Sequence, residues 1–191
     1  MEHSLSTKKQ SDEDLIRLYL ETQNSRYFDR LYGKYANKVY AKCISLLKDE
    51  ARAQDAVQDI FLKIFLNLSK FGGKSKFSTW IYSITYNYCI DLIRKRKKEG
   101  NIFSDDIERT PDVAEEVPDS ALLEMEVKRL KVILEKIPVG DKVVLLMKYQ
   151  DEMSIKDISD ALNKSESAIK MKLKRAKHKA QKVYKETYRD D

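Results

Sequence analysis

MSIKDISDALNKSESAIKMKLKRAKHKAQKVY, residues 153–184, contains two helix starts and one turn, and it decides how the rest of the chain is read. Ser154 with Asp157 three residues later has capping-box spacing, in which each side chain bonds the other residue's backbone N–H. Behind it Ile155, Ile158 and Leu162 recur at three- and four-residue steps and supply the buried face of a short helix. Asn163 stands where a tight turn needs a residue tolerant of left-handed backbone. Ser165 is then placed to cap a second helix that carries Ile169 and Leu173 inward. This is helix-turn-helix spacing. Between Lys164 and Lys182, eight Lys or Arg residues stand against Glu166 alone, so the second helix presents a cationic side suited to a DNA major groove. A generic basic amphipathic helix would not need the capped helix and turn before it.

Upstream of this stretch the pattern stays helical. LLEMEVKRLKVILEKI is ended by Pro138, and DKVVLLMKYQ follows as a second helix. Near the N-terminus, Ser11 and Asp14 repeat the capping-box spacing before Leu15 and Leu18, and FDRLYGKYANKVYAKCISLL predicts the next helix. In ARAQDAVQDIFLKIFLNLSKF, the residues Ala56, Val57, Ile60, Phe61, Ile64, Phe65 and Leu68 predict one core face. Asp55, Gln58 and Asp59 lie on the opposite face, which suits solvent or a docking partner. Gly72 and Gly73 break that helix, and another is predicted from about Ser78 to Arg94 with Ile81, Ile84, Thr85, Tyr88 and Leu92 inward.

Charge divides the chain into three parts. Residues 1–98 carry 19 Lys/Arg against 11 Asp/Glu (+8), residues 99–120 carry 1 against 8 (−7), and residues 121–191 carry 17 against 12 (+5). The acidic segment EGNIFSDDIERTPDVAEEVPDS has two of the three prolines and no apolar stripe, so it reads as a flexible linker. The expected architecture is all-α. A disordered leader (1–10) precedes a helical domain (11–98), the acidic linker (99–120) and a helix-turn-helix domain (121–191).

Several chemistries lack their residues. The two histidines, His3 and His178, and the two cysteines, Cys43 and Cys89, have no metal-ligand or CxxC spacing, and both cysteines read as buried reduced thiols. No GxGxxG or GxxxxGK[ST] motif cradles a nucleotide. No catalytic, cofactor-binding or metal-binding residue is therefore expected, and no small-molecule substrate. The longest aliphatic run, VVLLM at 143–147, is far short of a bilayer span, and MEHSLSTKKQ has no apolar signal region. Direct membrane insertion is not expected, and the cytoplasm is.

The stretch FGGKSKFSTWIYSITYNYCIDLIRKRKK, residues 71–98, combines the sole tryptophan with other rings, an amide and many cations. Trp80, Ser83, Asn87 and Arg94 fall on a side of the helix away from the predicted core. Rings and amides held beside cations suit unstacked bases and phosphates. Packing of Trp80 on the domain edge is the alternative.

DAVQDIFLKIF, then FSTWIYSITYNYCIDLIRKR, then IPVGDKVVLLMKYQDEMSIKDISDAL with SAIKMKLKRAK, resembles in order and distance an extracytoplasmic-function (ECF) sigma factor of bacterial RNA polymerase, in the sigma-70 family. The resemblance runs from about Leu15 to Tyr184. It implies two helical domains, region 2 and region 4, on a flexible linker. It further implies that Asp55, Gln58 and Asp59 dock on the clamp helices of the polymerase β′ subunit. Lys74, Lys76, Phe77, Trp80, Asn87 and Arg94 would serve the promoter minus-ten element, with Asn87 lining the pocket for a flipped base. Ser165, Ser167, Lys170, Met171, Lys174 and Arg175 would read the minus-thirty-five element, and region 4 would also dock on the β flap. The expected partners are core RNA polymerase, promoter DNA and an anti-sigma factor. Two rivals remain at this point. A helix-turn-helix regulator acting without polymerase would leave residues 55–98 unused, and a metal-dependent nuclease would need Asp55, Asp59 and Asp91.

Overall fold

The computed structural model describes residues 10–99, 117–118 and 127–188. Among them every regular element is helical: α1 (Asp12–Thr22), α2 (Ser25–Leu47), α3 (Glu50–Asn67) with a 3-10 turn at Leu68–Lys70, α4 (Phe77–Glu99), α5 (Val127–Lys136), α6 (Val139–Leu145) running into a π-helical turn at Leu146–Gln150, α7 (Ile155–Leu162) and α8 (Glu166–Thr187). The expected disordered leader lies outside the described residues apart from Gln10, as does the acidic linker apart from Glu99, Val117 and Pro118. Val117 is buried.

Local chemistry accounts for the helix ends. Ser11 and Asp14 form a complete capping box on α1, and Ser154 with Asp157 does the same on α7. Hydrogen bonds from the Ser11 side chain, then from Arg17, hold the Asp14 carboxyl below its ordinary value of 3.8. The folded-state pKa is lowered, so the cap is intact above that ordinary range and weakens as pH falls through the lowered value. Asn24, Asp49 and Ser165 accept backbone N–H groups at the starts of α2, α3 and α8. Asn163 sits at φ 50°, ψ 53°, in the left-handed conformation expected of it. Ser154→Ala removes one acceptor from α7 and is expected to cost about 1 kcal/mol. A thermal melt followed by circular dichroism reads that loss as a lower midpoint with unchanged helix content.

The chain divides into two compact units, Met1–Thr85 and Tyr86–Asp191, so the division falls within α4. In the first unit α1, α2 and α3 pack on one another around Leu15, Leu31, Val39, Cys43, Ile60 and Ile64. Tyr35 is buried between them, and its hydroxyl donates to the Asp12 carboxylate at 2.5 Å. Burial, reinforced by that carboxylate, pushes the phenol well above its usual range. Cys43 and Cys89 are both buried and neither forms a disulfide. In the second unit α8 packs on α5, α6 and α7.

The predicted core needs three corrections. Phe65 is exposed rather than buried, although its ring meets Phe28 edge-on at 5.1 Å. In α4 the buried set is Phe77, Ile81, Thr85, Tyr86 and Cys89, whereas Ile84, Tyr88 and Leu92 are half-buried. Four-residue steps from Phe77 set that stripe, and Thr85 tolerates it because its hydroxyl donates to the Ile81 carbonyl at 2.9 Å. In α7, Ile158 and Ser159 are buried while Ile155 and Leu162 are half-buried.

Candidate nucleic-acid interface

The loop before α4 is made possible by Gly73, whose φ of 66° suits a residue without Cβ. It leaves Lys74 and Lys76 exposed. Phe77 closes the loop by turning inward: it is 1% exposed and meets Tyr35 and Phe71 edge-on at 5.7 and 5.2 Å. Its ring therefore serves the core and offers no open face to a base. Trp80 is half-buried, stacked on Phe77 at 5.7 Å with 28° between planes and tilted on Phe71 at 5.5 Å. The packing alternative for Trp80 thus has contacts behind it, and the ring also keeps some free surface.

Asn87 follows Trp80 after two helical turns, about 10 Å of rise, on the same side of α4. It is half-buried, and its amide nitrogen donates to the Ala161 carbonyl at 2.7 Å. Arg94 is exposed, paired with Asp91 at 3.8 Å across one turn. A pair so solvated holds the guanidinium weakly. α4 thus carries cations at both ends, with an aromatic ring and an amide between.

The helix-turn-helix is braced from within. The Ser159 hydroxyl donates to the Lys164 carbonyl at 2.5 Å, and the Lys164 N–H returns to the Ser159 carbonyl at 3.0 Å. Ser165 is exposed and caps α8 through the Ala168 N–H at 3.2 Å. Ile169, Leu173, Ala176 and Ala180 form the buried stripe of α8. Ser167, Lys170 and Met171 are exposed, and Lys174 continues their stripe half-buried. Arg175 is half-buried, and its Nε is enclosed with no hydrogen-bond partner. One face of α8 thus holds the unit together while the neighbouring face offers hydroxyl, thioether and ammonium groups at groove-reading spacing.

Two features were not anticipated. Asp141, nearly buried near the start of α6, holds Lys179 at 3.1 Å and Lys172 at 3.8 Å, and so fixes α8 against α6. A carboxylate just ahead of VVLL was the available signal. On α3, Asp55, Gln58 and Asp59 are exposed as expected, and Leu62 and Leu66 extend the same face at 56% and 65% exposure. Steps of four, three and four residues from Asp55 reach Asp59, Leu62 and Leu66. Carboxylates and exposed leucines thus share one face of α3. Among the described residues, no three His, Cys, Asp or Glu side chains converge as a metal site, and no helix is long and apolar enough to cross a membrane.

A family model described as Sigma-70 region 2 matches residues 31–99, and one described as Sigma-70, region 4 matches residues 128–179. The ECF RNA polymerase sigma factor SigW of Bacillus subtilis is 30% identical over 152 residues, 75% of this chain and 81% of that protein. SigM of the same organism is 29% identical over 164 residues, 85% of this chain and 98% of that one. Among solved structures, CnrH in complex with the cytosolic domain of CnrY superposes with a TM-score of 0.62 at 22% identity, over 91% of this chain and 97% of that one. The sigma factor RpoE in complex with the anti-sigma factor NepR from Bartonella quintana gives 0.61 at 20% identity, over 83% and 96%. At such identity these two structures speak to the fold.

Proposed function

Because the chain belongs to the extracytoplasmic-function sigma factors of the sigma-70 family, we propose that its three surfaces act together at a single promoter. As a sigma factor it directs core RNA polymerase to promoters and starts transcription there. In our reading Asp55, Gln58 and Asp59 dock on the β′ clamp helices, with Leu62 and Leu66 beside them. Lys74, Lys76 and Arg94 follow the phosphates of the minus-ten element, Trp80 offers a ring to a displaced base, and Asn87 bonds that base by its amide. Phe77 acts by backing Trp80. Ser165, Ser167, Lys170, Met171, Lys174 and Arg175 face the minus-thirty-five element, and the second unit's apolar surface meets the β flap.

The observation that carries this reading is the order of surfaces along the chain: an acidic face with exposed leucines on α3, a ring-amide-cation stripe on α4, and a braced cationic helix-turn-helix. Strand separation costs about 1.4 kcal/mol per base step in lost stacking. Contacts to the captured strand offset that cost without a nucleotide cofactor or any catalytic residue in this chain. Anti-sigma control is part of the proposal, supported by CnrH and RpoE being held by partner proteins in the solved complexes. The cytoplasm is the compartment where such a promoter reader would act.

Runoff transcription tests the reading. Core polymerase given this chain is expected to start at sites on genomic fragments that core alone ignores. Asn87→Ala should lower discrimination at the minus-ten element by about 5- to 100-fold, the range for one base contact. Its affinity for core polymerase should stay unchanged. Equal loss of both would contradict the assignment of Asn87. Tight duplex binding without polymerase, and no new starts with it, would favour the stand-alone regulator.

A further inference from the structure

We propose that Met171 makes α8 a reader of a single thymine methyl, so that the element it prefers is defined by an apolar contact in the middle of the reading stripe. The inference rests on the reading of α8 as the minus-thirty-five helix and names the group recognised there.

Met171 does not match the chemistry of its surroundings. It is 40% exposed, whereas Met147 and Met153 of the same unit are 0% and 1% exposed. At about 100° per residue it lies roughly opposite the buried stripe of Ile169, Leu173, Ala176 and Ala180, so the packing of the unit does not call for an apolar side chain there. Lys170 precedes it, Ser167 stands about one turn before it and Lys174 about one turn after. An alkyl thioether among ammonium groups adds nothing to the attraction for phosphate. It has no hydrogen to donate and its sulfur accepts weakly, so it is a poor partner for the donors and acceptors on base edges.

One group in the major groove does suit it. The thymine C5-methyl is the apolar feature of the base-pair edges there. An unbranched side chain with three rotatable bonds settles on a methyl without the strict geometry of a hydrogen bond. Spacing says where. From Ser167 to Lys174 the helix rises about 10 Å, roughly three base-pair steps, and Met171 stands between them. The thymine therefore falls inside that window, with Lys170 and Lys174 placed to reach guanine edges or phosphates beside it.

Deoxyuridine pairs as thymine does and lacks only the methyl, so it isolates the contact from the DNA side. The test uses holoenzyme made from core RNA polymerase and the full chain, on a duplex carrying a start mapped by runoff. Each thymine of the upstream element, on either strand, is replaced singly by deoxyuridine, and affinity is read by competition. With the wild type, replacement at one position should weaken binding about fourfold, the change that corresponds to burying one methyl-sized group, and replacements outside the window should leave it unchanged. Met171→Ala should bind the unmodified duplex about fourfold more weakly and lose its response to that replacement. Met171→Leu, which keeps an apolar arm, should retain the response. Both are surface changes, so melting temperatures should match wild type. A wild type indifferent to every replacement would overturn the inference, as would a Met171→Ala variant that responds as strongly as wild type, or mapped elements that share no thymine at a fixed position. A chain that starts no transcription with core would overturn the functional reading instead. The same replacements in duplexes that the chain alone selects from a random pool would then still judge Met171, and selection of none would overturn its role as well.

Discussion

Asp55→Lys combined with Asp59→Lys is expected to weaken binding to core RNA polymerase by about a hundredfold or more, the cost of like charges set against a complementary partner. Both aspartates are exposed on α3, one turn apart, and the core of that helix lies on the far side at Ala56, Ile60 and Ile64. Surface changes of this kind shift stability by only about 0.5 kcal/mol. The melting curve should therefore match wild type while fluorescence anisotropy with labelled core shows the loss. The defect should shrink as salt is raised, because exposed charges are screened beyond about 10 Å at 0.1 M. Leu62→Ser and Leu66→Ser belong to the same face but not to this charge effect, and separate the two components. An affinity within twofold of wild type in the double reversal would remove α3 from the polymerase interface.

Ile158→Ala should have the largest effect on stability, about 2–5 kcal/mol, the range for truncating a buried aliphatic side chain. Ile158 is 0% exposed on α7, in a unit whose other enclosed side chains include Met147, Met153 and Ile169. With a total of about 5–15 kcal/mol available to a domain, such a loss approaches the threshold for folding. α7 also orients α8 through Ser159 and the Lys164 carbonyl, so duplex contact should fail with the packing. Circular dichroism should show an early transition that takes part of the helical signal, with the α1 to α3 bundle melting later. A midpoint within about 2 °C of wild type would mean that the site collapses around the smaller side chain.

What could be read in advance was chemistry spanning three or four residues. The boxes at Ser11 with Asp14 and at Ser154 with Asp157, the left-handed Asn163 and the cap at Ser165 are all local bonds, visible as spacing. The exposure of Asp55, Gln58 and Asp59 on α3 was legible for the same reason, since it follows from the periodicity of the buried face opposite. α4 was harder because it has apolar residues on nearly every side and packs in both units. Phe77, Ile81, Thr85 and Cys89 set its stripe, and Tyr86 is buried beside them. Phe77 reads as a ligand ring when it stands next to Lys76 and Trp80, yet Tyr35 and Phe71 enclose it. Periodicity cannot report the bonds of Tyr86 and Asn87, whose partners lie far along the chain. The same limit hid the hold of Asp141 on α8.

That hold changes how the basic composition of α8 should be understood. Lys172 and Lys179 both lean on the nearly buried Asp141, so these two ammonium groups already have company inside the protein. A polyanion arriving at this helix displaces its condensed counterions chiefly against the remaining outward cations. In the proposed minus-thirty-five contact, the expected ionic-strength dependence of docking is accordingly shallower than a tally of lysines would suggest, and discrimination between sequences is expected to lean more on the hydroxyl of Ser167 and the thioether of Met171.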